Sequence, residues 1–128
     1  MKRVYYAHCQ SIYDTPQERR DISTLENLGL EVENPASSIR GIAVTTMRAQ
    51  GATSEQVMRY FYEMVEACHV FAFRALPDGS IPAGVAGELA HYLDVNTVPV
   101  VIELPSGTSR RALTVEQTRE YLLEVGQR

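Results

Sequence analysis

Short apolar runs and helical patterns take turns along the whole chain, and this alternation limits the fold more than any other feature of the sequence. Arg3-Val4-Tyr5-Tyr6-Ala7 is β-branched and aromatic, which predicts a first strand. Thr15-Pro16-Gln17-Glu18 follows, a capping box with Pro at the first helical position. Ile22, Leu25 and Leu28 continue it at helical spacing, and Gly29 sits where a C-terminal cap belongs. Leu30-Glu31-Val32-Glu33 predicts a short second strand, closed by Asn34-Pro35. Residues 36–53 are rich in Ala, Ser, Thr and Gly with little periodicity, so most of this stretch reads as a mobile loop with room for a short helix.

Thr53 or Ser54 then caps a helix whose apolar face is Val57, Phe61, Met64, Val65 and Cys68. His69-Val70-Phe71-Ala72-Phe73 predicts a buried third strand, and Pro77-Asp78-Gly79-Ser80 a turn. A helix is expected from Pro82 to about Leu93, and Val98-Pro99-Val100-Val101-Ile102 as a fourth core strand. Arg111-Ala112-Leu113 is a candidate fifth strand at the edge. Thr114 caps a last helix, with Val115, Thr118, Leu122 and Val125 expected inward. Strand and helix in alternation favour a parallel sheet, because parallel neighbours need crossover connections. The expected fold is a single α/β domain: a flavodoxin- or Rossmann-like three-layer sandwich with a four- to five-stranded parallel sheet.

The chain has 128 residues, 45% of them apolar and 22% charged, enough to close one core and too few for a second domain. Its formal net charge of -4 repels phosphate backbones, so no nucleic-acid partner is expected. Arg19-Arg20 and Arg110-Arg111 read as solvated faces. No apolar run approaches the roughly 20 residues of a membrane span. The N-terminus reads as a strand and not a signal peptide. Cys9 and Cys68 lie far apart, and reduced thiols in a cytoplasmic protein are the simplest reading. His8-Cys9 and Cys68-His69 lack zinc-site spacing, so no metal is expected.

Parallel sheets bind ligands beyond the carboxyl ends of their strands. The richest segment there runs from Arg74 to Glu88. Small residues flank a helix start, where a ligand can approach the backbone closely. On a helical wheel Val85, Leu89 and Tyr92 point inward, while Gly84, Glu88 and His91 share the adjoining flank. From spacing alone, a Glu beside an apolar stripe reads first as a solvated side chain.

Tyr5-Tyr6-Ala7-His8, Asn34-Pro35 and Gly84-Val85-Ala86-Gly87-Glu88-Leu89, in this order, resemble the nucleoside 2-deoxyribosyltransferase family, which includes the 2′-deoxynucleoside 5′-phosphate N-hydrolases. The resemblance extends to about Leu104. It implies that Glu88 attacks the anomeric carbon of a 2′-deoxynucleoside or its 5′-monophosphate, giving a covalent deoxyribosyl-enzyme that an acceptor base or water resolves. A carboxylate suits an oxocarbenium-like transition state. The resemblance also implies that Tyr5 orients Glu88, that no cofactor is needed, and that the protein is a homo-oligomer, dimeric or higher, whose subunits complete each pocket.

Asp78 is a second candidate acid, although the Pro-Asp-Gly turn is the simpler use for it. His8, Asn34 and Gly84 are candidate substrate contacts. Arg74 could reach a 5′-phosphate, as could the stretch from Ser106 to Arg111. Two departures bear on activity. Phe61 stands where the family often carries an Asp, with Glu63 the nearest acid, and His69 replaces a common acidic residue. The alternatives are therefore hydrolysis without base transfer, or a nucleotide-binding module that has lost catalysis. A third reading, docking through Tyr60-Phe61-Tyr62, is explained more cheaply by helix packing.

Overall fold

The computed structural model describes residues 1–104 and 112–124. It is α/β, with an all-parallel four-stranded sheet in a Rossmann- or flavodoxin-like arrangement. In chain order the elements are β1 (Arg3–Ala7), a 3-10 turn (Gln10–Ile12), α1 (Pro16–Asn27), β2 (Glu31–Glu33), α2 (Ser38–Ala49), α3 (Ser54–Glu66), β3 (Val70–Arg74), α4 (Ala83–Val95), β4 (Val101–Leu104) and α5 (Val115–Glu124). The strands lie in the order β2-β1-β3-β4, so strand order reverses between β1 and β3. That switch point is where an open parallel sheet leaves a crevice.

Each face of the sheet has its own core. Tyr5, Ala7, Phe71 and Phe73 meet Met64 and Val65 of α3 and Val85 and Tyr92 of α4. Val4, Tyr6, Val70, Ala72 and Leu104 meet Leu25 of α1. Helices thus cover both faces, the three layers expected from the alternation.

Caps explain most of the boundaries. The Thr15 hydroxyl accepts the Glu18 N–H at 3.3 Å and opens α1. Gly29, at φ +84°, closes it: its N–H bonds the Glu26 carbonyl, and the Leu30 N–H reaches back to Leu25. Thr53 and Gln56 form a reciprocal capping box on α3.

Residues 36–53 are mostly not a loop. They hold α2, a 12-residue helix capped by the Ser37 side chain and ended by Gly51 at φ +86° with the same glycine geometry. No residue of α2 is fully buried; Arg40, Ala43, Val44 and Met47, at helical spacing, give it a half-buried face and not a stripe set into the core. Arg40 anchors it instead, with its guanidinium on Glu33 of β2 and on the Tyr60 hydroxyl at 2.8 Å.

β4 also begins later than expected, at Val101. Val98 is 82% exposed, Pro99 has no N–H to give, and the Val100 N–H goes to the Tyr92 hydroxyl. The expected fifth strand reduces, among the described residues, to one parallel bridge between Ile81 and Ala112; Arg111 lies outside them. In α5, Leu122 is buried but Val115 is 58% exposed, contrary to expectation, and Val125 lies outside the described residues. No helix among the described residues is long and apolar enough to cross a membrane.

Tyr92 is fully buried and joins three elements. Its hydroxyl donates to the His69 carbonyl at 2.7 Å and accepts the Val100 N–H at 3.0 Å. Tyr92→Phe leaves both backbone groups unpaired, and the expected loss is about 1–3 kcal/mol in urea unfolding. A variant as stable as the wild type would show that water replaces the hydroxyl.

Candidate active site

A cleft of about 380 Å³ opens at the carboxyl ends of β1 and β3, within the size range of small-ligand sites. His8, Cys9 and Tyr13 follow β1 into it. Val57, Met58, Phe61 and Tyr62 of α3 form an apolar wall. The start of α4, from Pro82 through Glu88, forms the opposite side, and Thr118, Arg119 and Leu122 of α5 close one end.

Glu88 stands on the second turn of α4 and lines the cleft, while protein surrounds it on most sides. Its Oε2 accepts a short hydrogen bond from the hydroxyl of Tyr5, whose ring is fully buried and stacked on Phe71. Oε1 has no protein partner among the described residues. Burial pushes the Glu88 carboxyl up from its ordinary 4.5 to about 7, and the Tyr5 hydrogen bond opposes that rise. Tyr5 itself is held far above the usual phenol range by burial and by the Glu88 charge, so it remains a neutral donor. A carboxyl group poised near neutrality in a cleft is a recognised mark of a functional site.

The other residues singled out from the sequence divide in two. Gly84 and His8 line the cleft. His8 is nevertheless committed to the protein: buried, stacked on Tyr6 at 3.8 Å, with Nδ1 on the Tyr6 carbonyl and Nε2 2.6 Å from Glu18. A carbonyl only accepts, so Nδ1 carries a proton. Burial lowers the His8 pKa and Glu18 opposes the shift.

Asn34, Arg74 and Asp78 are not part of the cleft wall. The Asn34 side chain accepts the Ala36 N–H at 2.9 Å and shapes the turn through Pro35, which does line the cleft. Arg74 grips Asp21 through Nε at 2.6 Å and Nη2 at 2.8 Å. Asp78 is exposed and accepts from the Ser80 N–H and hydroxyl within its turn. His69 lies at the opposite end of β3 from the cleft, where its Nδ1 accepts the Arg3 N–H.

Several wall residues were not singled out. Arg48 lies in the stretch read as loop, and Tyr62 in an aromatic triplet assigned to packing. Thr118 and Arg119 come from α5, for which only core packing was expected. Thr118 has a defined task. The α4 N-cap, Pro82, has no side-chain cap, and the Thr118 hydroxyl accepts the Ala83 N–H at 2.9 Å in its place. Arg48 and Arg119 are exposed at the cleft and have no ion-pair partner among the described residues. Glu88 is the only carboxylate among the described lining residues. No group of three or more His, Cys, Asp or Glu residues able to hold a metal ion occurs among the described residues.

No protein family, curated protein or solved structure was found to match the chain.

The raised carboxyl makes ionisation of Glu88 costly to the fold. The unfolded chain releases that proton near 4.5 and the folded one near 7, so this contribution is complete below about 4.5 and lost as pH rises through about 7. Glu88→Gln is therefore expected to gain stability over the wild type between pH 4.5 and 8, by roughly 2–3 kcal/mol allowing for partial solvent access. Urea midpoints of both proteins across that range test it; a difference that does not change with pH overturns it.

Proposed function

We propose that the protein cleaves the N-glycosidic bond of 2′-deoxynucleosides or their 5′-monophosphates through a covalent ester on Glu88, in the manner of the nucleoside 2-deoxyribosyltransferases that its sequence resembles. The observation that carries this reading is the Tyr5–Glu88 hydrogen bond at the switch point of the sheet. One carboxylate oxygen is held by a phenol, and the other is left for chemistry.

In the first step Glu88 Oε1 forms a bond to C1′ as the C1′–N bond breaks. The electron pair leaves with the base, which takes a proton from solvent. In the second step a water oxygen attacks C1′, the ester C1′–O bond breaks, and the carboxylate is restored as water gives up a proton. An acceptor base in place of water makes the same second step a transfer. Two carboxylate roles are usual in glycoside cleavage, but here Glu88 is the sole described carboxylate of the wall. The leaving base must draw its proton from water or from a group other than Asp78.

Other features of the cleft support a nucleotide. Phe61 and Met58 offer an apolar surface to a base. Arg48 and Arg119, without an ion-pair partner among the described residues, put positive charge beside the cleft of a chain whose formal net charge is -4. That charge suits a 5′-phosphate.

The expected result is release of free base from 2′-deoxynucleotides, followed by chromatography with and without acceptor bases. Glu88→Ala should lower kcat by at least about a thousandfold. Unchanged turnover in that variant would sink the mechanism. Appearance of a new nucleoside distinguishes transfer from hydrolysis.

The rate should rise with pH to a plateau, half-maximal near 7, because the nucleophile must be ionised. Tyr5→Phe should move that midpoint upward, since it removes the hydrogen bond that favours the charged form. A midpoint that stays in place or falls shows that Tyr5 does not stabilise the carboxylate.

We also infer a homo-oligomer. The exposed Ile39 and Ile42 of α2, at 74% and 67%, offer apolar surface for a second copy. Sedimentation should show a dimer or larger that Ile42→Asp weakens; a monomer at all concentrations refutes it.

A further inference from the structure

The seven tyrosines differ in what their hydroxyls do. Tyr5 donates to Glu88, Tyr6 to Asp21 and Tyr92 to the His69 carbonyl, while Tyr60 accepts from Arg40. The hydroxyls of Tyr13, Tyr62 and Tyr121 have no partner among the described residues. Two of these three, Tyr13 and Tyr62, line the cleft.

Of these two, Tyr62 is placed by two restraints. Its ring lies parallel to His91 of α4, 4.6 Å between centroids and 10° between planes, and His91 Nε2 is 3.2 Å from Glu66. Its hydroxyl sits over Gly87, only 2.9 Å from where a Cβ on that residue would stand. Gly84, by contrast, has nothing within 4 Å of its Cβ position. Gly87 is thus the glycine of this helix whose missing side chain makes room for something, and what fills the room is a phenol lying over the residue that precedes Glu88. Burial, with a further contribution from the Glu88 charge, raises the Tyr62 pKa, so the group stays protonated and able to donate.

A 2′-deoxynucleoside 5′-monophosphate has one free sugar hydroxyl, at the 3′ position. We propose that Tyr62, seated over Gly87, is the substrate-binding residue that reads this 3′-hydroxyl and aligns the sugar over Glu88. This rests on the glycosidase reading above. It supplies, from the position next to Phe61, a polar contact that the apolar Phe61 cannot make. It also accounts for the paired choice of Tyr62 and Gly87.

The test is a cycle between protein hydroxyl and substrate hydroxyl. kcat/KM is measured for a 2′-deoxynucleoside 5′-monophosphate and its 2′,3′-dideoxy counterpart, with the wild type, Tyr62→Phe and Tyr13→Phe. Intrinsic differences in bond lability cancel when the substrate ratio is compared between proteins. Tyr62→Phe should cost about tenfold on the deoxy substrate, the size of one hydrogen bond, and should lower the deoxy-to-dideoxy ratio by the same factor. Tyr13→Phe should leave that ratio at the wild-type value.

Gly87→Ala gives a second line. Alanine favours the helix, and the obstructing atom is the tip of a side chain that can swing away. Melting temperature should therefore hold or rise while the substrate ratio falls as in Tyr62→Phe. A Tyr62→Phe ratio equal to wild type overturns the proposal, as does a fall seen only in Tyr13→Phe, or an unchanged ratio in Gly87→Ala. A wild type that cleaves no deoxynucleotide overturns the glycosidase reading itself, and the two failures are told apart by that first measurement.

Discussion

The pleat of β1 sends neighbouring side chains to opposite faces of the sheet, and both halves of the protein hang on that alternation. Tyr5 and Ala7 point towards α3 and α4, Val4 and Tyr6 towards α1. Two adjacent tyrosines therefore reach two different acids, Glu88 on one side and Asp21 on the other. β1 is paired on both edges, with β2 and with β3, so its register is held by two ladders. A slip of one residue would exchange the two faces and bury the wrong partner at each acid.

What the two faces do with their tyrosines is different. On the α1 side the polar groups are spent on one another. Asp21 accepts from Tyr6, Arg74 and Gln17, and these partners outweigh its burial and hold its carboxyl below the usual range. His8 Nε2 lies 2.6 Å from Glu18 beside them. A network this complete rigidifies the strand ends it joins.

On the α4 side, among the described residues, Glu88 has only the Tyr5 hydrogen bond to favour its charge, and the hydroxyls of Tyr13 and Tyr62 are unpaired. Polar groups left under-satisfied at some cost to the fold are what a ligand can complete, and such sites are where stability gives way to activity. The rigid side provides the platform, and the unfinished side faces the cleft.

The architecture was readable because its signals are local. Thr15, Gly29 and Thr53 mark helix ends through hydrogen bonds a few residues long, and β-branched runs mark strands. α2 escaped because its inward face, Arg40, Ala43, Val44 and Met47, is only half-buried and includes a charged residue, whose partners Glu33 and Tyr60 lie on other elements. Its ends, Ser37 and Gly51, carried ordinary cap chemistry that a periodicity reading passes over. β4 shifted because the Tyr92 hydroxyl, on the helix just before it, takes the Val100 N–H, a side-chain contact that strand patterning does not reveal. The pairing of Tyr5 with Glu88 was expected from resemblance alone; 83 residues separate them, and no spacing rule spans that distance.

The sequence by itself determined the α/β alternation, the parallel sheet and the caps of α1 and α3. Those features depend on period, cap chemistry and motif, which act over a few residues. Only the tertiary structure decided which polar groups are spent and which remain available. Arg74, Asp78 and His8 are taken up by the protein, while Tyr62, Arg48 and Arg119 face the cleft, and Thr118 caps the helix that bears Glu88. Each of those outcomes depends on what a distant element brings within hydrogen-bond reach, and that is settled by packing.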